Sequence, residues 1–133
     1  MPEVELLSPA GDFECLKAAV QNGADSIYFG TDKFNARFYA TNLGVNSLKE
    51  AVSYCKLRNV HTHLTLNTLI KDTEFEDAIA LAEEAYEAGI DAIIVQDLGL
   101  AKYLIDRLPD LPIHASTQMT AHNLEGVLEL EKL

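Results

Sequence analysis

The chain has 133 residues, 48% of them hydrophobic, and a formal net charge of −11. That length suits a single domain with a sizeable core, and no apolar run approaches the roughly 20 residues that span a bilayer, nor does a basic-then-apolar leader open the chain. Ten scattered Lys and Arg residues against 21 Asp and Glu argue against a phosphate-binding face, which needs clustered cations, so the expectation is a soluble, cytoplasmic protein that binds nucleic acid poorly by itself.

In chain order, "VELL" (4–7) reads as a first strand, followed by "SPAGD" rather than a glycine-rich phosphate loop. "DFECLKAAVQN" is amphipathic and helical, and "SIYFG" is a second strand. The segment "GTDKFNARFYATNLGVN" that follows is long for a βα connection and carries Asn35, Arg37, Phe38, Tyr39 and Asn42; such loops are usually functional. Arg37 is the one arginine expected on this face and the candidate for gripping an anionic or carbonyl group; the plainer alternative is a surface pair with Asp32. Ser47 with Glu50, and Thr73 with Glu76, fit capping boxes. "VHTHLTLN" is a third strand. In "TEFEDAIALAEEAYEAG", Phe75, Ala78, Ile79, Ala82, Ala85 and Tyr86 recur at three- and four-residue steps, which predicts a helix with one buried face and a solvated glutamate side. "DAIIV" and "IHAS" are the fourth and fifth strands, and "NLEGVLELEKL" begins the last helix. Gly23, Asn59 and Gly89 stand where helices end in a left-handed residue, at intervals that one βα unit occupies. Cys15 and Cys55 both fall in helix-like stretches and read as buried free thiols.

Alternation of strand and helix means parallel βα units. The candidates are a doubly wound open sheet or the first part of a (β/α)8 barrel, which needs eight strands and about 250 residues. Absence of a glycine-rich loop favours the barrel: an α/β fold in which residues 1–133 form a partial TIM-type barrel of about five strands, incomplete at the C-terminus. The functional face then lies at the carboxyl ends of the strands. Those ends carry Ser8, Gly30, Asn67, Gln96 with Asp97, and the polar run Ser116 to Asn123 that includes Gln118 and His122. Side-chain alternation puts His61, His63, Thr65 and Asn67 on one side of the third strand, and His114, Ser116 and Gln118 on one side of the fifth, both facing the barrel interior. Asp97 and Asn123 are equally suited to capping the next helix. His61-x-His63 has metal-type spacing but no third ligand, and an interior polar layer is the plainer reading, so no metal is expected. Ser116, His114 and Asp97 invite a hydrolytic triad, although no nucleophile elbow is present.

"ELLSPAGDFECLKAAVQNGADSIYFG", "FNAR", "TLNTLI", "IVQDLGLA" and "LPIHASTQMTAHN" together resemble the N-terminal part of the U32 peptidases, the collagenase-like proteases. The resemblance implies a TIM-type barrel and proteolysis, with Asn35, Arg37, Asn67, Gln96, Asp97, Ser116, Gln118, His122 and Asn123 at the functional centre. It also implies an alternative, because relatives hydroxylate RNA bases or quinone precursors, in several cases with a cysteine-bound iron–sulfur cluster. The cluster cysteines of such relatives lie downstream of the matched region, so no cofactor is expected within this chain and a cluster is expected only in a full-length parent. A third possibility is a non-catalytic half-barrel whose open edges drive homo-oligomer formation.

Overall fold

The computed structural model of the chain describes residues 4–36 and 47–133. Five strands, β1 (Leu7–Pro9), β2 (Ser26–Gly30), β3 (His61–Leu66), β4 (Ala92–Val95) and β5 (Ile113–Ala115), alternate with five helices, α1 (Phe13–Gln21), α2 (Leu48–Lys56), α3 (Phe75–Ala88), α4 (Leu98–Arg107) and α5 (Leu124–Glu131). All strands are parallel and lie side by side in the order of the sequence. A doubly wound sheet reverses direction at a switch point; a sheet that adds each new strand on the same side winds as a barrel does. The α/β fold and the barrel-type winding expected from the sequence are both present.

The register explains how one polar and one apolar face arise. Ile27 pairs with Thr62, Phe29 with Leu64, Leu64 with Ile93 and Leu66 with Val95, so bulky apolar side chains align across the sheet on the side where the helices pack. Leu64, Leu66 and Ile93 are wholly buried there, with Leu16, Ala51, Cys55, Ala82, Leu100 and Leu104 from α1 to α4. Burying a side chain of this size contributes about 1.5–3 kcal/mol. Tight turns return each helix to the sheet: Gly23, Asn59 and Gly89 adopt positive φ of 91°, 56° and 88°, as the pattern of helix stops predicts.

Several local expectations are corrected. The first strand is Leu7–Pro9 rather than 4–7: Val4 and Leu6 are 87% and 55% exposed, and Pro9, which lacks an N–H, is tolerated because β1 is the outer strand among the five. Ser47 flanks α2 in helical geometry and its hydroxyl caps nothing. Thr73 lies within a short 3-10 turn, where Glu74 rather than Glu76 reaches back, accepting from the Lys71 backbone N–H at 3.1 Å. Asp12 is the cap the pattern missed, accepting from Cys15 N–H at 2.7 Å, a bond that holds its carboxyl below the usual range. Cys55 is buried as expected and burial pushes its thiol up to about 11, but Cys15 is exposed. Among the described residues, no helix is long and apolar enough to cross a membrane.

Candidate functional site

The face of the sheet turned away from the helices is concave and bounds a cleft of about 670 Å³. Alternation along the strands selects its walls: Leu7 and Pro9 from β1, Tyr28 and Gly30 from β2, His63, Thr65 and Asn67 from β3 and its end, Ile94 from β4, His114 and Ser116 from β5 and its end. Closed barrels normally fill this space with layers of branched apolar side chains. Here Ile94 and Leu7 are set among two histidines, a tyrosine, a threonine and an asparagine. No lysine or arginine lines the cleft among the described residues.

At the carboxyl end of the sheet the polar groups are tied to one another. The Thr65 hydroxyl donates to the Phe29 carbonyl at 3.1 Å and lies 3.4 Å from Asn35 Oδ1. Asn35 and Thr65 are both buried. Asn35 reaches this position because β2 ends in Gly30, where a Cβ would stand 2.0 Å from Asn35 Nδ2 and 2.8 Å from Thr65 Oγ1; any larger residue would occupy the space the amide takes. Asn67 Oδ1 accepts from the Ala36 N–H at 3.1 Å, while its Nδ2 donates to Ser116 Oγ at 3.4 Å. Ser116 Oγ also accepts from Gln118 N–H at 3.2 Å, and Gln96 Nε2 donates to the Gln118 carbonyl at 3.3 Å. The ends of β3, β4 and β5 are thereby joined through carboxamides and one hydroxyl. The opening of the fifth strand into polar residues serves this linkage: Ser116 starts a 3-10 turn over Thr117–Met119 and caps it.

Of the residues expected at the site, Asn35, Asn67, Ser116 and Gln118 line the cleft, and Gln96 adjoins it through Gln118. Asp97 is committed to helix capping, accepting from Leu100 N–H at 2.9 Å, and its second oxygen accepts from Ile70 N–H at 3.3 Å, anchoring the connection after β3. Asn123 likewise caps α5 through Gly126 N–H at 2.9 Å. His122 is exposed, its Nδ1 2.9 Å from the Thr120 carbonyl, and is not among the cleft walls. Ser8 alternates with Leu7 and Pro9 and is turned to the other side of β1. Arg37, with Phe38, Tyr39 and Asn42, lies outside the described residues. Glu5, Tyr28, Thr65, His63 and His114 are cleft residues missing from the set expected at the functional centre; strict alternation would have found Tyr28, two residues before Gly30.

The arrangement offers oriented amide and hydroxyl groups rather than a nucleophile. Ser116 Oγ accepts two hydrogen bonds and none of its described partners is a histidine. Asp97 is engaged with backbone N–H groups, so the triad of Ser116, His114 and Asp97 is not assembled. Among the described residues, no three His, Cys, Asp or Glu side chains are grouped so as to hold a metal ion.

Residues 11–133 match the sequence model of peptidase family U32. The chain is 38% identical over 122 residues to "23S rRNA 5-hydroxycytidine C2501 synthase" of Escherichia coli, covering 92% of this chain and 18% of that protein. It is 32% identical over 126 residues to "Collagenase" of Porphyromonas gingivalis, covering 94% and 30%, and 33% identical over 125 residues to "tRNA hydroxylation protein P" of Helicobacter pylori, covering 93% and 30%. Among solved structures it superposes on the U32 peptidase Mk0906 with a TM-score of 0.75 at 14% identity, over 98% of this chain and 55% of the other. The chain thus spans less than a third of the length of these curated relatives. It belongs to peptidase family U32.

Proposed function

We propose that this U32-family chain forms part of an enzyme that hydroxylates an RNA base in the cytoplasm, and that its concave face supplies one wall of the base-binding site. The observation that carries this reading is two bonded pairs of amide and hydroxyl side chains along an open cleft, Asn35 with Thr65 and Asn67 with Ser116, the second held in turn by the Gln118 backbone N–H. A nucleobase edge presents alternating N–H and C=O groups in one plane, and fixed amides read such an edge. Relatives named for rRNA and tRNA hydroxylation support the same assignment. With no lysine or arginine among its described walls, the cleft would read the base and leave the phosphate contacts to other groups.

Replacing a ring C–H by C–OH is a two-electron oxidation that needs an oxygen source and an electron acceptor. An iron–sulfur cluster does not fit the described residues: Cys15 is exposed on α1, Cys55 is buried within α2, and these are the two cysteines of the 133 residues. Any cluster would be held outside this chain, and the cleft's own part is to bind and orient. Deleting the gene and digesting rRNA and tRNA to nucleosides tests the proposal. Loss of one nucleoside heavier by an oxygen, restored by the intact gene, is expected; an unchanged set of nucleosides contradicts it.

A second reading, peptide hydrolysis, is favoured by relatives named "Collagenase" and "Uncharacterized protease MJ0090". The same amides would then orient a peptide backbone, with the nucleophile supplied outside the described residues. Release of new amino termini from gelatin or casein by the intact protein would favour this reading; silence across both substrates would remove it. For the chain by itself we also propose self-association, since among the described residues β1 and β5 each pair on one side only and Leu124 and Val127 on α5 are 70% and 52% exposed. A single monomeric mass across a wide concentration range in sedimentation would contradict it.

A further inference from the structure

Below the ring of carboxamides, toward the amino ends of the strands, the cleft carries a second polar group of a different kind. His63 and His114 project from β3 and β5 with ring centroids 5.3 Å apart and planes at 87°, edge to face. His63 Nδ1 is buried and has no hydrogen-bond partner. His63 is nonetheless only half-buried and lines the cleft, so with Nδ1 enclosed the other ring nitrogen, Nε2, is the one that faces the open space.

This asymmetry fixes the tautomer. A neutral imidazole carries one N–H and one bare nitrogen. An N–H enclosed without an acceptor is among the rarest of buried polar groups, rarer than an under-used acceptor, so the proton belongs on Nε2, where it meets the open space. The ring is also held neutral. Burial is the largest cause that lowers the tendency of His63 to take a second proton, and the neighbouring His114 is the next; Glu5 and then Asp91 oppose these two, and His61 lowers it least. Tyr28 stands opposite His63 in the β2–β3 register and shares the cleft wall with it.

We infer that His63 is a specificity-determining residue of the cleft, a neutral Nε2–H donor directed at a carbonyl oxygen on the base edge, with His114 as the positioning residue that holds its ring. This rests on the nucleobase reading above and adds the group that is recognised. A neutral donor selects a carbonyl over a phosphate, because an anion would draw a proton onto the ring and form a charge-assisted bond instead. In a cleft without lysine or arginine among its described walls, the choice between the two ligands falls to this ring.

Two measurements test the inference. In the ¹⁵N-labelled chain, ring nitrogen resonances assigned by comparison with His63→Gln should show His63 as a neutral Nε2–H tautomer at pH 7, unchanged by inorganic phosphate. An Nδ1–H tautomer, an imidazolium at pH 7, or protonation on adding phosphate overturns it. In the intact protein, His63→Phe should lower the yield of modified nucleoside by roughly fivefold to tenfold, while His63→Gln, which keeps an N–H donor, should retain most of it. Equal losses in the two variants overturn the inference. If gene deletion leaves every RNA nucleoside unchanged, the RNA reading falls by itself, and the tautomer measurement still decides the state of His63.

Discussion

The two faces of the five-stranded sheet are built from the same strands by alternate residues, yet they obey different rules. On the helix side Ile27, Leu64 and Ile93 have no exposed surface, and the polar Thr62 buried beside Ile27 has its hydroxyl satisfied by Asp91 at 3.0 Å. On the other side His63, Thr65, Asn67 and Ser116 bound an open cleft. On the reading proposed above, the polar side chains turned inward serve a ligand, while the outward set makes the fold.

That contrast can be broken most severely from the outer face. Leu64→Ala removes a wholly buried side chain and should cost about 2–5 kcal/mol, measured by urea unfolding; a cost below about 1 kcal/mol would mean that this face is not the core. Gly30→Ala comes next, because its Cβ would collide with Asn35 Nδ2 and crowd Thr65 Oγ1. About 1–3 kcal/mol is expected, and since the collision lies on the cleft side, the intact enzyme should also lose modified nucleoside. Wild-type behaviour of this variant would dissociate Asn35 from the site. Asp97→Ala should cost about 1 kcal/mol through the lost cap of α4; retention of activity in proportion to folded protein would confirm its structural role.

The smallest effect is in pH dependence. The folded state holds His63 below its ordinary value of 6.5, so both states are neutral above that pH and the full stability is present. As pH falls through 6.5 the unfolded chain takes the proton first, and stability is lost until the folded-state value is passed. Wild-type protein should therefore lose more stability between pH 7 and pH 5 than His63→Gln does; parallel curves would argue against a buried neutral ring. No such change is expected from Cys55, whose thiol titrates only at about 11.

How much of this was legible in the sequence depends on what each residue's position decides. Strands β2 to β5 and the left-handed stops at Gly23, Asn59 and Gly89 were readable, because apolar runs and helix-ending residues act locally. The inward direction of His63, Thr65, His114 and Ser116 followed from a period of two. Strand β1 was not readable to the residue: "VELLSP" is apolar enough to pair at several registers, and only its bonds to β2, such as Ser26 N–H to Leu6 O at 3.2 Å, fix the register. That shift turned Ser8 out of the cleft. Caps were half legible, since Asp97 and Asn123 cap helices as expected, whereas Ser47 does not and Asp12 caps α1 unannounced; a hydroxyl near a helix start becomes a cap only when the backbone arrives extended, and Ser47 arrives helical. Asn35 depends on a glycine in another element, a relation no local pattern contains.

The claim that the inner face binds ligand while the outer face makes the fold is tested most directly at Asn67, which joins Ala36 to Ser116 across the cleft. Asn67→Ala in the intact protein should change unfolding free energy by no more than about 1 kcal/mol and abolish most of the modified nucleoside in a deletion strain complemented with the variant. Full modification at normal stability, or a loss that only follows the fraction unfolded, would contradict the account.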